Sequence, residues 1–249
     1  MSNKLADKVA LVTGGTTGIG LAAAQAFAAQ GARVFITGRR QAQLDAAVKL
    51  IGPQAIGIRG DVSSLPDLDN VYVQIKRKAG HLDVLLANAG GGEMVPLGEI
   101  TEAHFDGIFN TNVKGVLFTV QKALPLLKDG SSVILTSSTT GTRGTEKFSV
   151  YSASKAAVRN FARSWILDLK ARQIRVNVLS PGPIRTPGLE GLVPAEYSQG
   201  LLEHLGSLVP LGRVGRVEEV AKAAVFLASD DSSFVNGTEL FVDGGVAQI

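Results

Sequence analysis

Three side chains late in the first two thirds of the chain have the types and spacing to move a proton. Ser138 follows an apolar run that ends at Thr136, Tyr151 stands thirteen residues further on, and Lys155 lies four beyond it in Tyr151-Ser152-Ala153-Ser154-Lys155. On a helix that last spacing puts phenol and ammonium on one face, near each other or sharing a ligand. A phenol has a reference pKa of about 10, and adjacent positive charge favours its ionised form, so Tyr151 is expected to act as acid and base near neutral pH. Carbonyl reduction requires such a group, because charge develops on oxygen and a neutral donor and a tunable acid must converge there. A Tyr-x3-Lys pair by itself is an ordinary amphipathic helix face. A second motif lifts it above that reading.

That motif is Thr13-Gly14-Gly15-Thr16-Thr17-Gly18-Ile19-Gly20, between the apolar run Val9 to Val12 and an alanine-rich segment from Leu21. The order is strand, glycine turn, helix. Gly14 allows the tight turn, Gly18 lets backbone approach a pyrophosphate, and Gly20 permits close packing of the helix. The helix N-terminus then offers unpaired N–H groups and the positive end of its dipole to an anion, with the Thr16 and Thr17 hydroxyls as further donors. The spacing Gly-x3-Gly-x-Gly differs from Gly-x-Gly-x2-Gly, and no Gly-Lys-Ser/Thr ending is present, so a dinucleotide is favoured over a nucleoside triphosphate. After the second apolar run the chain reads Thr37-Gly38-Arg39-Arg40. A carboxylate there would hold ribose hydroxyls, whereas a guanidinium binds a 2′-phosphate, so NADP(H) is expected in preference to NAD(H).

The elements that must position these residues are legible as alternating runs. Expected strands are Val9 to Val12, Arg33 to Thr37, Ala55 to Arg59, Val84 to Ala87, Ser132 to Thr136, Arg175 to Leu179 and Glu239 to Val242. Expected helices are Leu21 to Gln30, Gln41 to Leu50, Pro66 to Lys78, Thr101 to Leu127, Ser152 to Ala171 and Val217 to Ala228. Strands alternating with helices imply an α/β fold: a Rossmann-like, doubly wound parallel sheet with helices on both faces, in a single domain spanning 1-249. In such sheets ligands bind beyond the carboxyl ends of the strands.

Composition supports one compact domain: 249 residues, 45% hydrophobic and 19% charged, with no linker between halves. The net charge of +3 is spread along the chain, so nucleic acid is not an expected partner. There is no cysteine, which removes disulfide and thiolate chemistry and suits a cytoplasmic setting. The first apolar run is too short for an export signal or a membrane span. His81, His104 and His204 lack ligand spacing, and no metal site is expected.

Taken together the motifs resemble those of the short-chain dehydrogenase/reductase family, in its branch of about 250 residues, over essentially the whole chain. The matching segments, in order, are Thr13 to Gly20, Asp61-Val62, Asn88-Ala89-Gly90, Asn112, Ser138, Tyr151 with Lys155, Pro181-Gly182 with Thr186, and Asp243-Gly244-Gly245. The resemblance implies that Tyr151 exchanges the proton with substrate oxygen while Ser138 holds that oxygen. It implies that Lys155 binds the nicotinamide ribose and lowers the Tyr151 pKa, and that Asn112 supports a water joining Lys155 to solvent. Asp61 and Val62 would contact adenine, Asn88 to Gly90 the adenosine-side ribose region, and Ile184 with Thr186 the carboxamide. Two departures are visible: Ala87 replaces the first amide of an Asn-Asn-Ala-Gly pattern, and Thr17 stands where some NADP-dependent relatives carry a basic residue.

The segment from Pro187 to Pro210 carries Leu189, Leu192, Val193, Tyr197, Leu201, Leu202, Leu205 and Leu208, with 201, 205 and 208 spaced as one helical face. Such a segment is expected to cover a bulky, nonpolar ketone or secondary alcohol and exclude water; packing on the domain or on a neighbouring subunit explains the same leucines. A 3-oxoacyl thioester reductase would be expected to show a basic docking patch, and Arg172 is offset by Asp129, read here as the end of the preceding helix. A sugar dehydrogenase or a non-catalytic dinucleotide sensor are the remaining alternatives. The resemblance implies a homotetramer, paired through 101 to 127, 152 to 171 and the last strand.

Overall fold

The seven apolar runs become seven parallel strands in the computed structural model, which describes residues 3–249. They are β1 (Val9–Val12), β2 (Arg33–Gly38), β3 (Ala55–Arg59), β4 (Leu82–Ala87), β5 (Leu127–Thr136), β6 (Arg175–Pro181) and β7 (Glu239–Val242). Their order across the sheet is β3-β2-β1-β4-β5-β6-β7. Registers such as Leu11 against Phe35, Leu85 against Val133 and Val178 against Glu239 run in parallel throughout. Parallel neighbours require crossovers, and the helices supply them: α1 (Gly18–Ala29), α2 (Gln41–Ile51), α3 (Leu65–Ala79), α4 (Glu102–Phe109), α5 (Gly115–Ala123), α6 (Ser149–Asp168), α7 (Pro187–Glu190), α8 (Ser198–Ser207) and α9 (Val217–Ala228).

Burial on both faces explains why the central strands lack polar alternation. One core joins Leu11, Phe35, Leu85 and Val133 of the sheet to Val71 and Ile75 of α3, Val116 of α5 and Val158 of α6. The other joins Val12, Ile36, Leu86 and Ile134 to Phe27 of α1, Leu44 of α2 and Ala224 of α9. The arrangement is a Rossmann-like α/β fold in one domain. Among the described residues, no helix is long and apolar enough to cross a membrane.

Two sequence expectations need correction. The helix expected from Thr101 to Leu127 is interrupted by a π-helical turn at Asn110–Lys114 and ends at Ala123. The wider turn carries Asn112 into the interior, where its amide is fully buried and bonded, a gain that one uninterrupted α-helical repeat would not deliver. Asp129 is not at a helix end either: it lies on the exposed beginning of β5 and pairs with Arg172 at 2.9 Å.

The two-sided core predicts a specific cost. Phe27 of α1 is fully buried, so Phe27→Ala should lose about 3–5 kcal/mol of stability, read as a lower urea midpoint at unchanged slope; a loss below 1 kcal/mol would mean that this helix packs loosely.

Candidate active site

The carboxyl ends of β1, β4, β5 and β6 lie along one rim of the sheet, and nearly all expected site residues fall there. At β1 the turn is braced from its neighbour. The Thr13 hydroxyl accepts from the backbone N–H groups of Asn88 (3.0 Å) and Ala89 (3.1 Å), while the Asn88 amide donates to the Thr13 carbonyl at 3.1 Å. Gly14 has φ +65°, and a Cβ there would lie 2.9 Å from the Ala89 Cα. At Gly20 a Cβ would lie 2.3 Å from the Gly14 carbonyl oxygen and 2.6 Å from the Asn88 amide nitrogen. Asn88 and Ala89 therefore hold the glycine turn in shape. Thr13 was not singled out in the sequence, although a hydroxyl at the end of β1 opposite an asparagine was its signal.

The turn delivers an open helix end. Thr17 precedes α1 with extended backbone and no side-chain cap, so the first N–H groups of the helix face the cleft unfilled by protein. Gly18 has φ +55°, and the Thr186 methyl lies 3.3 Å from where its Cβ would be. The loop after β6 thus closes over the turn. Thr16 packs its methyl where a Cβ on Gly38 would sit, 2.4 Å away, and Arg39 and Arg40 are exposed just beyond. These features fit a dinucleotide: bare backbone for the pyrophosphate, a dipole for its charge, and two guanidinium groups at the ribose end.

Other expected contacts prove to be bound up with local structure. Asp61 accepts from the backbone N–H (2.9 Å) and hydroxyl (2.7 Å) of Ser63, and Val62 is buried against Gly115. Pro181 and Gly182 form the seam with the C-terminal turn, where a Cβ on Gly182 would lie 2.7 Å from the Asp243 Cα. Ile184 is buried and bridges to Gly215, and the Thr186 hydroxyl caps α7 by accepting from the Leu189 N–H at 3.1 Å.

The proton-moving residues meet where β5 and α6 come together. Ser137 donates its hydroxyl to the Lys155 carbonyl at 2.9 Å, fastening α6 to the strand end. Lys155 is 3% exposed and donates to the Thr136 carbonyl at 3.0 Å. Gly90 admits it, since a Cβ there would sit 3.3 Å from the ammonium and 3.0 Å from the Asn112 carbonyl oxygen. Asn112 donates to the Gly91 carbonyl (2.9 Å) and the Ser154 hydroxyl (3.0 Å), and accepts from the Gly91 N–H (3.1 Å). Ser154 in turn donates to the Tyr151 carbonyl at 2.6 Å. The sequence missed Ser137 and Ser154. A hydroxyl three residues after the tyrosine, on the buried side of its helix, was the available sign of the second.

Ser138 accepts from the Thr140 N–H at 3.2 Å and the Thr140 hydroxyl at 3.1 Å, so its own proton is available to a substrate or to the phenol. The expectation that Lys155 depresses the Tyr151 pKa is corrected by the environment of both groups. Burial pushes the Tyr151 phenol above its ordinary value, and a hydrogen bond with Ser138 pulls it only part of the way back. The ammonium lies 5.4 Å from the ring centre. Burial lowers Lys155 itself to about 8. The protein alone holds a protonated phenol, the form that donates to a carbonyl oxygen.

Away from this rim, His81 lies 3.2 Å from Asp83 and His104 lies 3.5 Å from Glu93, while His204 is exposed on α8. Among the described residues, no group of three or more His, Asp or Glu is placed to hold a metal ion.

An open helix end beside a buried tyrosine, lysine and serine, all on one rim of a doubly wound sheet, defines an oxidoreductase of the dinucleotide-binding α/β class. The comparisons agree. A family model described as Enoyl-(Acyl carrier protein) reductase matches residues 14–247. An oxidoreductase of Sarocladium schorii, asL5, is 50% identical over 248 residues, covering 99% of this chain and 98% of that protein. Among solved structures, levodione reductase has a TM-score of 0.93 at 30% identity, covering 98% of this chain and 99% of that one. A short-chain type dehydrogenase/reductase from Mycobacterium marinum has a TM-score of 0.90 at 35% identity, covering 98% and 97%. The chain belongs to the short-chain dehydrogenase/reductase family, whose members interconvert carbonyl and alcohol groups of small molecules with a nicotinamide dinucleotide.

Burial of Lys155 predicts a pH-dependent stability. Below pH 8 the amine is charged in both folded and unfolded chains, and the folded state bears the full desolvation cost. Between about 8 and 10.5 the folded amine is neutral while the unfolded one keeps its proton, so this penalty is relieved as pH rises. Lys155→Met should therefore exceed the wild type in stability at pH 7 by about 1–3 kcal/mol, with the difference narrowing above pH 8 in urea titrations. A difference independent of pH would show that burial of the charge is not the cost.

Proposed function

We propose that this protein is an NADP(H)-dependent carbonyl reductase, reversible as an alcohol dehydrogenase, acting on ketones or aldehydes that carry a bulky nonpolar group. The observation that carries the reading is the Tyr151 phenol, held protonated by burial, bonded to Ser138 and placed over the buried Lys155. A bound nicotinamide dinucleotide supplies or accepts the hydride. Gly14, Thr16, Thr17, Gly18, Ile19 and Gly20 hold its pyrophosphate at the α1 N-terminus, and Asp61, Val62, Asn88, Ala89 and Gly90 line the adenosine side. Pro181, Gly182, Ile184 and Thr186 form the nicotinamide side. Ser138 donates a hydrogen bond to the substrate carbonyl oxygen, Tyr151 gives that oxygen its proton, and Lys155 binds the ribose and restores the proton to the phenol. Asn112 keeps the backbone beneath that relay in place.

The preference for NADP(H) is supported by Gly38, Arg39 and Arg40, which put two exposed cations and no carboxylate at the end of β2. The apolar substrate class is supported by the segment 187–210, which forms the covering part of the single domain 1–249. Within it the face that packs inward is Leu202, Gly206 and Val209, not 201, 205 and 208: Leu208 lies past the end of α8 and is 56% exposed. Leu192, Val193, Leu201 and Leu205 are half-buried and remain to line the substrate side.

The description of the matching family model favours a second reading, reduction of an acyl thioester on a carrier protein. Against carrier docking, Arg172 is engaged by Asp129 and the carbonyls of Leu124 and Leu127. A cytoplasmic homotetramer fits the first reading, with stacked, partly exposed aromatic pairs Phe105–Phe109 and Phe161–Trp165 on the outer faces of α4 and α6 as subunit contacts.

With NADPH and a panel of bulky ketones, loss of nicotinamide absorbance should be observed, and Tyr151→Phe should reduce kcat by about 10²–10⁴-fold. No turnover with ketones, alongside turnover of acyl thioesters, would overturn the substrate class. Arg39→Ala should weaken NADP(H) binding by about tenfold or more while leaving NAD(H) binding little changed; equal losses would remove Arg39 from the 2′-phosphate.

A further inference from the structure

The Tyr151 ring is held by two residues that lie outside every motif used above. Phe148, which precedes α6, is buried and stacks on the tyrosine with ring centres 4.4 Å apart and planes 30° apart. Gly92 lies at the edge where the two rings meet. A Cβ on it would stand 2.5 Å from the Tyr151 Cδ2, 2.8 Å from its Cγ and 2.9 Å from the Phe148 Cζ. Real Cβ atoms do not approach that closely, so only glycine fits between these rings as they stand.

Both contacts are built in by backbone. Gly91 is bonded through its N–H and its carbonyl to the Asn112 amide, which fixes the position of the next residue. Lys147 has φ +61°, a left-handed conformation uncommon for lysine, and the Val95 N–H donates to its carbonyl at 2.7 Å. That kink turns the chain so that Phe148 folds under the tyrosine three residues ahead on the helix.

We infer that Gly92 and Phe148 are positioning residues for the reaction: together they fix the direction of the Tyr151 hydroxyl and keep water from one face of its ring. The inference rests on the reading of Tyr151 as proton donor. The charged groups on elements packed against the ring are few. Lys155 lies over it, while Glu93 faces His104 at 3.5 Å and Glu146 faces Lys147 at 3.7 Å, both at the surface. Apolar cover is therefore the main lever on the phenol, consistent with burial being the larger cause of its raised pKa.

The test begins with the phenol alone, by ultraviolet titration of the ligand-free chain, each variant being compared with its own Tyr151→Phe background to remove Tyr72 and Tyr197. Phe148→Ala should bring the Tyr151 midpoint down by about one pH unit or more, whereas Phe148→Leu, which keeps an apolar cover, should stay near the wild type. If Phe148→Ala titrates with the wild type, or Phe148→Leu falls as far as Phe148→Ala, Phe148 does not act by excluding water. Gly92→Ala keeps that cover but displaces the ring, and should lower kcat by about tenfold or more with dinucleotide Kd unchanged. Wild-type kcat in this variant, or equal loss of dinucleotide binding, would overturn its positioning role. Because the titration needs no substrate, its outcome stands even if the panel of carbonyl compounds shows no turnover.

Discussion

Burial of an ammonium and a phenol side by side, at the carboxyl rim of a parallel sheet, is the constraint to which the rest of the structure answers. Neither group is content there: desolvation lowers the lysine to about 8 and raises the tyrosine. A buried amine needs an acceptor, and the Thr136 carbonyl at the end of β5 is one. It also needs room, which Gly90 provides by lacking a side chain. The Ser137 hydroxyl secures the helix that carries both groups, so the strand end and the catalytic helix act as one rigid piece.

The asymmetry of that environment matters chemically. A phenol whose pKa is raised stays protonated across neutral pH, which suits giving a proton to a developing alkoxide more than removing one from an alcohol. Ser138 works in the same direction, since its acceptor capacity is taken up by Thr140 and its donor is left for oxygen. The reverse reaction draws on positive charge arriving beside the ring, which favours the phenolate.

Glycines at this rim serve contact more than flexibility. Gly14, Gly18 and Gly20 let the turn, the loop after β6 and the end of β4 close around one open helix end. The π-helical turn at Asn110–Lys114 has a similar effect from below, carrying the Asn112 amide to the backbone of Gly91 and the hydroxyl of Ser154. Polar groups that look like ligand contacts in the chain, such as Asn88 and Asp61, are thereby shown to hold backbone in shape.

Much of this was readable from the chain. Apolar runs alternating with amphipathic ones determine a parallel sheet, because strands covered on both faces cannot be polar on either, and the glycine spacing after β1 and the Ser138, Tyr151, Lys155 spacing are local properties of single segments. Bounds moved where ends are set by neighbours: β5 begins at Leu127 because it pairs with Leu82, and the expected helix over 101–127 breaks where Asn112 finds buried partners. What only the tertiary structure decided is how groups distant in sequence alter one another. The pKa of Tyr151 follows from what covers it, and Phe148 and Gly92 meet it through a kink and a loop that no periodicity records. Spacing along a chain specifies which side chains share a face; solvent exclusion depends on everything packed against that face, and exists only once the chain has folded.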